Sequence, residues 1–283
     1  MINKKAELKK ITDTGRRYSF LWSRYTNILP PKEYHFNSMQ EVIPEKIVRG
    51  SIGLDLGCGC GWDIFVMAKE NPSVRIIGID ISDGVYNALK LCREFNNVNI
   101  LKASTTDLPL KREFYDFVYS FGVLHHVPDY KRGLLEVNRV LKKDSPCFLY
   151  LYEKHTHNPV KYIGIKIVSL VRKITVKISP RILYVLSYMA SPIFIILFSY
   201  PANFFKRFKS LRWLYEKMPF NFGNGLFSLS GDIYDRFGAP VEYRFSKEDI
   251  FNIFFECSFY RVNITKLKDT AGWVVWGYKK RES

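Results

Sequence analysis

The chain has 283 residues, 47% of them apolar, with 43 Lys and Arg against 27 Asp and Glu for a formal charge of +16. That length buries one good core with room for an embellishment, and the apolar content excludes a disordered chain. Five cysteines, at positions 58, 60, 92, 147 and 257, are odd in number and suggest no disulfide framework, so a reducing cytoplasmic setting is expected.

Residues 1–49 are a polar lead dotted with aromatics. Residues 4–11 suit a short helix. No apolar run follows the charged start, so no signal peptide is expected. Tyr18, Phe20, Trp22 and Tyr25 cluster ahead of Pro30-Pro31. They read as a cap on the domain, and Tyr18, Trp22 and Tyr25 also as a wall of a substrate pocket.

Residues 50–157 alternate strand and helix in the manner of a parallel sheet. Strands are expected over 53–56, 74–79, 98–102, 117–120 and 147–152, with helices over 63–69, 85–95 and 131–141. The first strand opens into Asp55-Leu56-Gly57-Cys58-Gly59-Cys60-Gly61. Three alternating glycines allow a tight turn and close approach of a nucleotide-like ligand. Cys58-Gly59-Cys60 is not a CxxC pair and has no companion pair, so no metal is expected there. Asp80 closes the next apolar run, nineteen residues past Gly61. A carboxylate at that remove accepts hydrogen bonds from two ribose hydroxyls. NAD enzymes use the same device, which leaves a nicotinamide oxidoreductase open at this point.

Residues 158–230 change character. Positions 182–205 hold no charged residue, long enough for a membrane span. Pro192 and Pro201 interrupt that run, and Ser187, Ser191, Ser199 and Asn203 dilute it. Between Lys154 and Lys217 twelve Lys or Arg accompany one acid, Glu216. Three readings stay open: helices lying on an anionic membrane through residues 158–217, an apolar lid over a substrate, or a span. A nucleic-acid groove fits less well, because the basic stretch is also apolar. Residues 231–283 return to ordinary alternation. Ser246 with Asp249 suits a helix start, a helix is expected over 248–255, and strands over 260–267 and 272–278 form a hairpin across 268–271.

Further along, Thr106-Asp107-Leu108-Pro109-Leu110, the run from Phe114 to Asp129, and Val137-Asn138-Arg139-Val140-Leu141-Lys142 follow in register. With the glycine loop and Asp80 they resemble the class I S-adenosylmethionine-dependent methyltransferases, in the small-molecule branch that includes quinone and polyketide tailoring enzymes. The resemblance covers about residues 47–152. It implies an α/β fold: a Rossmann-like, doubly wound, mostly parallel seven-stranded sheet with an antiparallel C-terminal edge pair, the apolar basic insertion following strand five. It implies S-adenosyl-L-methionine as cofactor. The reaction would be direct displacement of its methyl group by an O, N or C nucleophile of an apolar, aromatic or lipid-like small molecule.

Carried over onto this sequence, Asp55, Gly57, Gly59 and Gly61 form the loop at the methionine end. Asp80 and Ile81 meet ribose and adenine, Asp107 and Leu108 meet adenine, and Phe121 sits where the loop after strand four reaches the cofactor. His126, and after it His125, are candidate bases, with a structural role open for both. His155 faces the acceptor or begins the insertion. No ligand set for a metal is present in the pattern. One departure stands out: Lys143-Asp144-Ser145-Pro146 replaces the usual Pro-Gly-Gly type of turn. A nucleic-acid methyltransferase remains the alternative to a small-molecule enzyme, although no Asn-Pro-Pro-Tyr motif follows strand four. The expected setting is cytoplasmic, with peripheral contact at the inner face of the cytoplasmic membrane as the membrane variant.

Overall fold

A computed structural model describes residues 4–25, 35–218, 226–267 and 272–281. It divides into two compact units, Met1–Glu153 with Val241–Ser283, and Lys154–Pro240.

The first unit is built on a seven-stranded sheet. Its strands are β1 (Ile52–Leu56), β2 (Arg75–Asp80), β3 (Val98–Lys102), β4 (Phe117–Phe121), β5 (Pro146–Tyr152), β6 (Phe259–Lys266) and β7 (Gly272–Lys279). They lie in the order β3-β2-β1-β4-β5-β7-β6. The first five pair in parallel, while β7 runs antiparallel between β5 and β6. This is the doubly wound sheet with an antiparallel edge pair that the sequence implied. The turn expected over 268–271 lies outside the described residues.

Parallel strands are covered on both faces, so their residues alternate between two apolar layers. On one face Leu54, Leu56, Ile79, Val118 and Leu149 pack against α5 (Tyr130–Val140) and α11 (Lys247–Glu256). On the other, Ile76, Phe117, Tyr119, Phe148 and Val274 pack against α2 (His35–Val42) and α3 (Trp62–Glu70). Burying each such side chain contributes about 1.5–3 kcal/mol. Ser246 and Asp249 form a full capping box at the start of α11.

The unusual turn after α5 has a physical solution. Asp144 adopts φ 59°, the left-handed conformation that glycine would supply. Aspartate is among the few residues that tolerate it. Its carboxylate accepts from the Tyr260 hydroxyl at 2.8 Å and pairs with Arg281, which holds the turn in place.

The N-terminal helix α1 runs over Lys4–Trp22, eleven residues beyond its expected end. Tertiary contacts extend it. The Ser19 hydroxyl accepts from the Asp83 amide, and the Trp22 carbonyl accepts from Asn87 Nδ2, both at 2.8 Å. These bonds clasp the end of α1 to α4 (Gly84–Leu91) and to the residue before it.

The second unit is helical, with α6 (Pro159–Thr175), α7 (Pro180–Phe194), α8 (Tyr200–Arg207), α9 (Arg212–Lys217) and α10 (Leu226–Gly238). Pro192 and Pro201, which interrupt the apolar stretch in sequence, do not end the helix: Pro180–Arg207 is one helical run of 28 residues. A wide turn over Ile195–Ser199 joins α7 to α8, with the Tyr200 amide donating to the Ile195 carbonyl five residues back. That turn lies just ahead of Pro201, where a ring clashes with a regular helix. Among the described residues this run is long and apolar enough to cross a membrane by length and composition, and 33% of its most apolar window is buried.

Candidate active site

The sheet order reverses between β1 and β4, whose outgoing chains diverge to opposite sides. In open α/β sheets ligands bind at the carboxyl ends of strands at such a switch point. The Ser120 hydroxyl donates to the Leu56 carbonyl at 2.7 Å and holds these two strand ends together.

Two glycines of the loop after β1 are required by geometry. Gly57 has φ 85°, and a Cβ there would lie 2.1 Å from the Val123 side chain. Gly61 has φ 90°, and a Cβ there would lie 2.7 Å from the Cα of Ala88 in α4. Gly59 acts through its backbone, donating its amide to Asp80 Oδ2 at 2.9 Å. The other oxygen of Asp80 accepts from the Ser82 amide at 2.7 Å. Asp80 therefore ties together the loops after β1 and β2 while its side chain lines the cleft.

Three carboxyls gather behind this loop. Asp55 is buried, and its Oδ2 has no hydrogen-bond partner among the described residues. Burial pushes its pKa well above the usual range, and the nearby Asp63 and Asp80 push it further. Asp63, in the first turn of α3, is pushed up to about 7 by burial, against hydrogen bonds from the Tyr119 hydroxyl at 2.8 Å and the Phe36 amide at 3.0 Å. Burial also raises Asp80. Sequence reasoning missed Asp63, whose position marks only a helix start.

Each outgoing strand adds to the cleft, whose cavity volume is about 100 Å³. Gly57 follows β1, Asp80 and Ile81 end and follow β2, and Ser104 and Thr105 follow β3. Beyond the middle of the sheet come Phe121, Val123 and His126. The Phe121 ring is stacked between His35 at 3.9 Å and Tyr150 at 4.2 Å, which fixes its plane. Helix α1 covers the opening with Ile11, Thr14, Tyr18 and Trp22. Thr14 is buried, and its hydroxyl has no partner among the described residues. Nothing in the local sequence marked it, because the expected helix stopped at residue 11.

The structure does not bring Asp107 and Leu108 to the cleft. The chain turns back after β3, with the Asp107 amide donating to the Ser104 carbonyl at 3.3 Å. That turn leaves Asp107 exposed. Leu108 is buried in the core, its amide held by Glu136 and its carbonyl by Arg139, both at 2.9 Å. Ser104 and Thr105 occupy the place expected of them.

The two neighbouring histidines also separate. His125 is fully buried, stacked on Tyr152 at 3.7 Å, with both ring nitrogens unpartnered among the described residues. Burial lowers its pKa well below the ordinary value, so the ring is neutral. It is not among the residues lining the cleft. His126 does line it, 5.5 Å from the Tyr18 ring between centroids. Its Nδ1 lies 2.8 Å from the Val241 carbonyl oxygen. A carbonyl only accepts, so Nδ1 carries the proton and Nε2 of the neutral ring carries the lone pair. His155 belongs to the second unit, where it is buried with φ 53° and its ring is 6.1 Å from that of His157. The side chain of Tyr25 lies outside the described residues.

Known proteins resemble parts of this chain. Residues 54–149 match the family described as a methyltransferase domain. Demethylmenaquinone methyltransferase of Staphylococcus carnosus (strain TM300) is 30% identical over 148 residues, which are 50% of this chain and 60% of that protein. The tRNA (carboxymethyluridine(34)-5-O)-methyltransferase of Saccharomyces cerevisiae is 40% identical over 95 residues, 33% of this chain and 32% of that protein. A chain from the complex of the Haloferax volcanii Trm112 methyltransferase activator with a methyltransferase superposes with a TM-score of 0.54. At 12% identity, over 94% of this chain and 99% of that one, it shows likeness of fold alone. The chain thus spans about 60% of the length of the curated Staphylococcus carnosus relative. The core that forms the cleft, with its glycine loop and its acidic strand ends, contains the segment that matches the methyltransferase-domain family.

Proposed function

We propose that the protein transfers the methyl group of S-adenosylmethionine to an oxygen, nitrogen or carbon nucleophile of an apolar, aromatic or lipid-like small molecule. The observation that carries the reading is the orphaned oxygen of Asp55 among three buried carboxyls behind the glycine loop. A buried acceptor left unsatisfied costs about 1–3 kcal/mol, and a ligand donor can recover it. The cationic ammonium of the cofactor suits that oxygen and relieves the repulsion with Asp63 and Asp80. A dinucleotide pyrophosphate would add negative charge to the same place.

When bound, the cofactor supplies an electrophilic methyl group on a sulfonium. The chain's own residues then bind and align. Asp55 would hold the ammonium, and the remaining lone pairs of Asp80 would accept from the ribose. Ser104 and Thr105, rather than Asp107 and Leu108, would stand along the adenine. The stacked Phe121 gives the cleft a rigid wall. Tyr18, Trp22 and Val123 give an acceptor an apolar surface and help exclude water. His126, with its proton held at Nδ1, would use Nε2 to take a proton from an acceptor that enters as a hydroxyl.

The setting we propose is cytoplasmic and at a membrane surface, where a lipid-like acceptor would be found. All five cysteines are unpaired thiols, which suits a reducing compartment. The RNA-directed relative shares a third of this chain, so RNA is the acceptor class to test against.

Calorimetric titration with S-adenosylhomocysteine, with NAD in parallel, tests the cofactor. Micromolar binding of the former alone is expected. Binding of NAD alone to folded protein would overturn the proposal. Transfer of labelled methyl to quinol or lipid extracts, and none to bulk tRNA, is the expected acceptor result.

A further inference from the structure

The 28-residue run from α7 through α8 is built inside out for water. Its face toward the rest of the second unit carries Leu183, Ser187, Ser191, Ile195, Ser199 and Ala202, all buried. The serines recur at four- and eight-residue spacing. Ser187 donates its hydroxyl to the Leu183 carbonyl and Ser191 to the Ser187 carbonyl, both at 2.8 Å. The opposite face carries Val185, Met189, Ile193, Ile196, Tyr200 and Phe204, all exposed, Met189 to 68%. Helix α6 also turns aliphatic side chains outward, with Ile163, Ile167, Leu170 and Ile174 exposed.

A helix of a water-soluble protein turns its aliphatic stripe inward and its hydroxyls outward. Small hydroxyl residues at the helix contact, with aliphatic residues outside, are what lipid as solvent selects. The charges agree. Lys173 and Lys177 precede the run and Arg181 stands at its start, while Lys206 and Arg207 close it and Lys209 and Arg212 follow. Basic residues at both ends of an apolar face are complementary to an anionic bilayer surface.

We infer that the exposed faces of α6 and α7–α8 form a membrane-docking surface. It lies in the plane of an anionic bilayer, sunk to the boundary of headgroups and acyl chains. An in-plane position is preferred to a span because α10 packs along α7 and carries Asp232, Asp235 and Arg236. A span would draw these charges toward hydrocarbon. The inference uses the second unit alone and does not depend on methyl transfer.

The test is flotation of the full chain with vesicles of phosphatidylcholine alone, and of phosphatidylcholine and phosphatidylglycerol in equal parts. The chain should float with the anionic vesicles, less with the neutral ones, and less at high salt. The variant M189E/I193E/I196E should lower partitioning at least about tenfold. Because these side chains face outward, its circular dichroism should be unchanged. The variant K206Q/R207Q/K209Q/R212Q should lose the preference for anionic vesicles, by on the order of a hundredfold or more. Wild-type protein left behind by both vesicle types would overturn the inference. So would a triple-glutamate variant that floats like wild type. A stable dimer that the triple variant abolishes, without vesicle binding, would assign the surface to a second copy instead. Resistance to alkaline extraction, with protease sites exposed on both sides of the vesicle, would overturn the in-plane arrangement.

Discussion

Asp55→Asn separates stability from function in this cleft. Asp55 is only 2% exposed, and its Oδ2 accepts nothing among the described residues. Burial raises its pKa first, then the charges of Asp63 and Asp80. The amide keeps the side-chain shape and removes both the buried charge and the repulsion. Stability without ligand is therefore expected to stay level or to rise by up to about 2 kcal/mol near pH 8. The sign follows from linkage. A carboxyl whose folded pKa lies above its unfolded value carries no penalty below about pH 4, and the penalty grows as the pH rises from there. The advantage of Asp55→Asn should thus vanish near pH 4 and be largest above neutrality. Affinity for S-adenosylhomocysteine, which keeps the ammonium, should move the other way. Loss of a charge-assisted hydrogen bond costs about 1.5–3 kcal/mol, about 10- to 150-fold in Kd. Urea unfolding near pH 4 and near pH 8, with calorimetry on the same samples, reads both quantities. A variant destabilised by more than about 1 kcal/mol near pH 8, with unchanged affinity, would refute the reasoning and make Asp55 a structural acceptor.

Three further outcomes are expected. Gly61→Ala combines a backbone at φ 90° with a Cβ 2.7 Å from Ala88 Cα, and should cost about 2–5 kcal/mol in urea unfolding; a loss below about 1 kcal/mol would show that the loop yields. Thr14→Val removes a buried hydroxyl with no partner among the described residues, so stability without ligand should hold or rise while affinity for cofactor or acceptor falls about 2- to 10-fold; no change in either affinity would leave the hydroxyl without a ligand role. His126→Ala should lower turnover of a hydroxyl acceptor by about 10²- to 10⁴-fold with S-adenosylhomocysteine affinity kept, whereas His125→Phe should keep the stack on Tyr152 and most of the activity. Equal losses at the two positions would remove the distinction drawn between them.

Much of the architecture could be read directly from the chain. Apolar runs at regular spacing, each ending in a small or acidic residue, place the strands to within about two residues. Gly57, Gly59, Gly61 and Asp80 announce the cleft because turn geometry and strand ends are local properties, written in adjacent residues. Other features depended on partners distant in sequence. Helix α1 reaches Trp22, and Thr14 enters the cleft, because Asp83 and Asn87 supply hydrogen bonds to its far end. Asp107 and Leu108 looked like adenine contacts by their position after β3, but a turn onto Ser104 and the grip of Glu136 and Arg139 took them away. His125 and His126 are indistinguishable as letters. Only the Val241 carbonyl at one ring and full enclosure of the other set them apart. The sequence by itself determined the fold class and the glycine loop at the cleft, since both follow from short-range pattern. Tertiary structure alone decided which carboxyl is left unsatisfied, which histidine lines the cleft, and which face of the apolar run is turned outward, because each depends on packing between residues far apart in sequence.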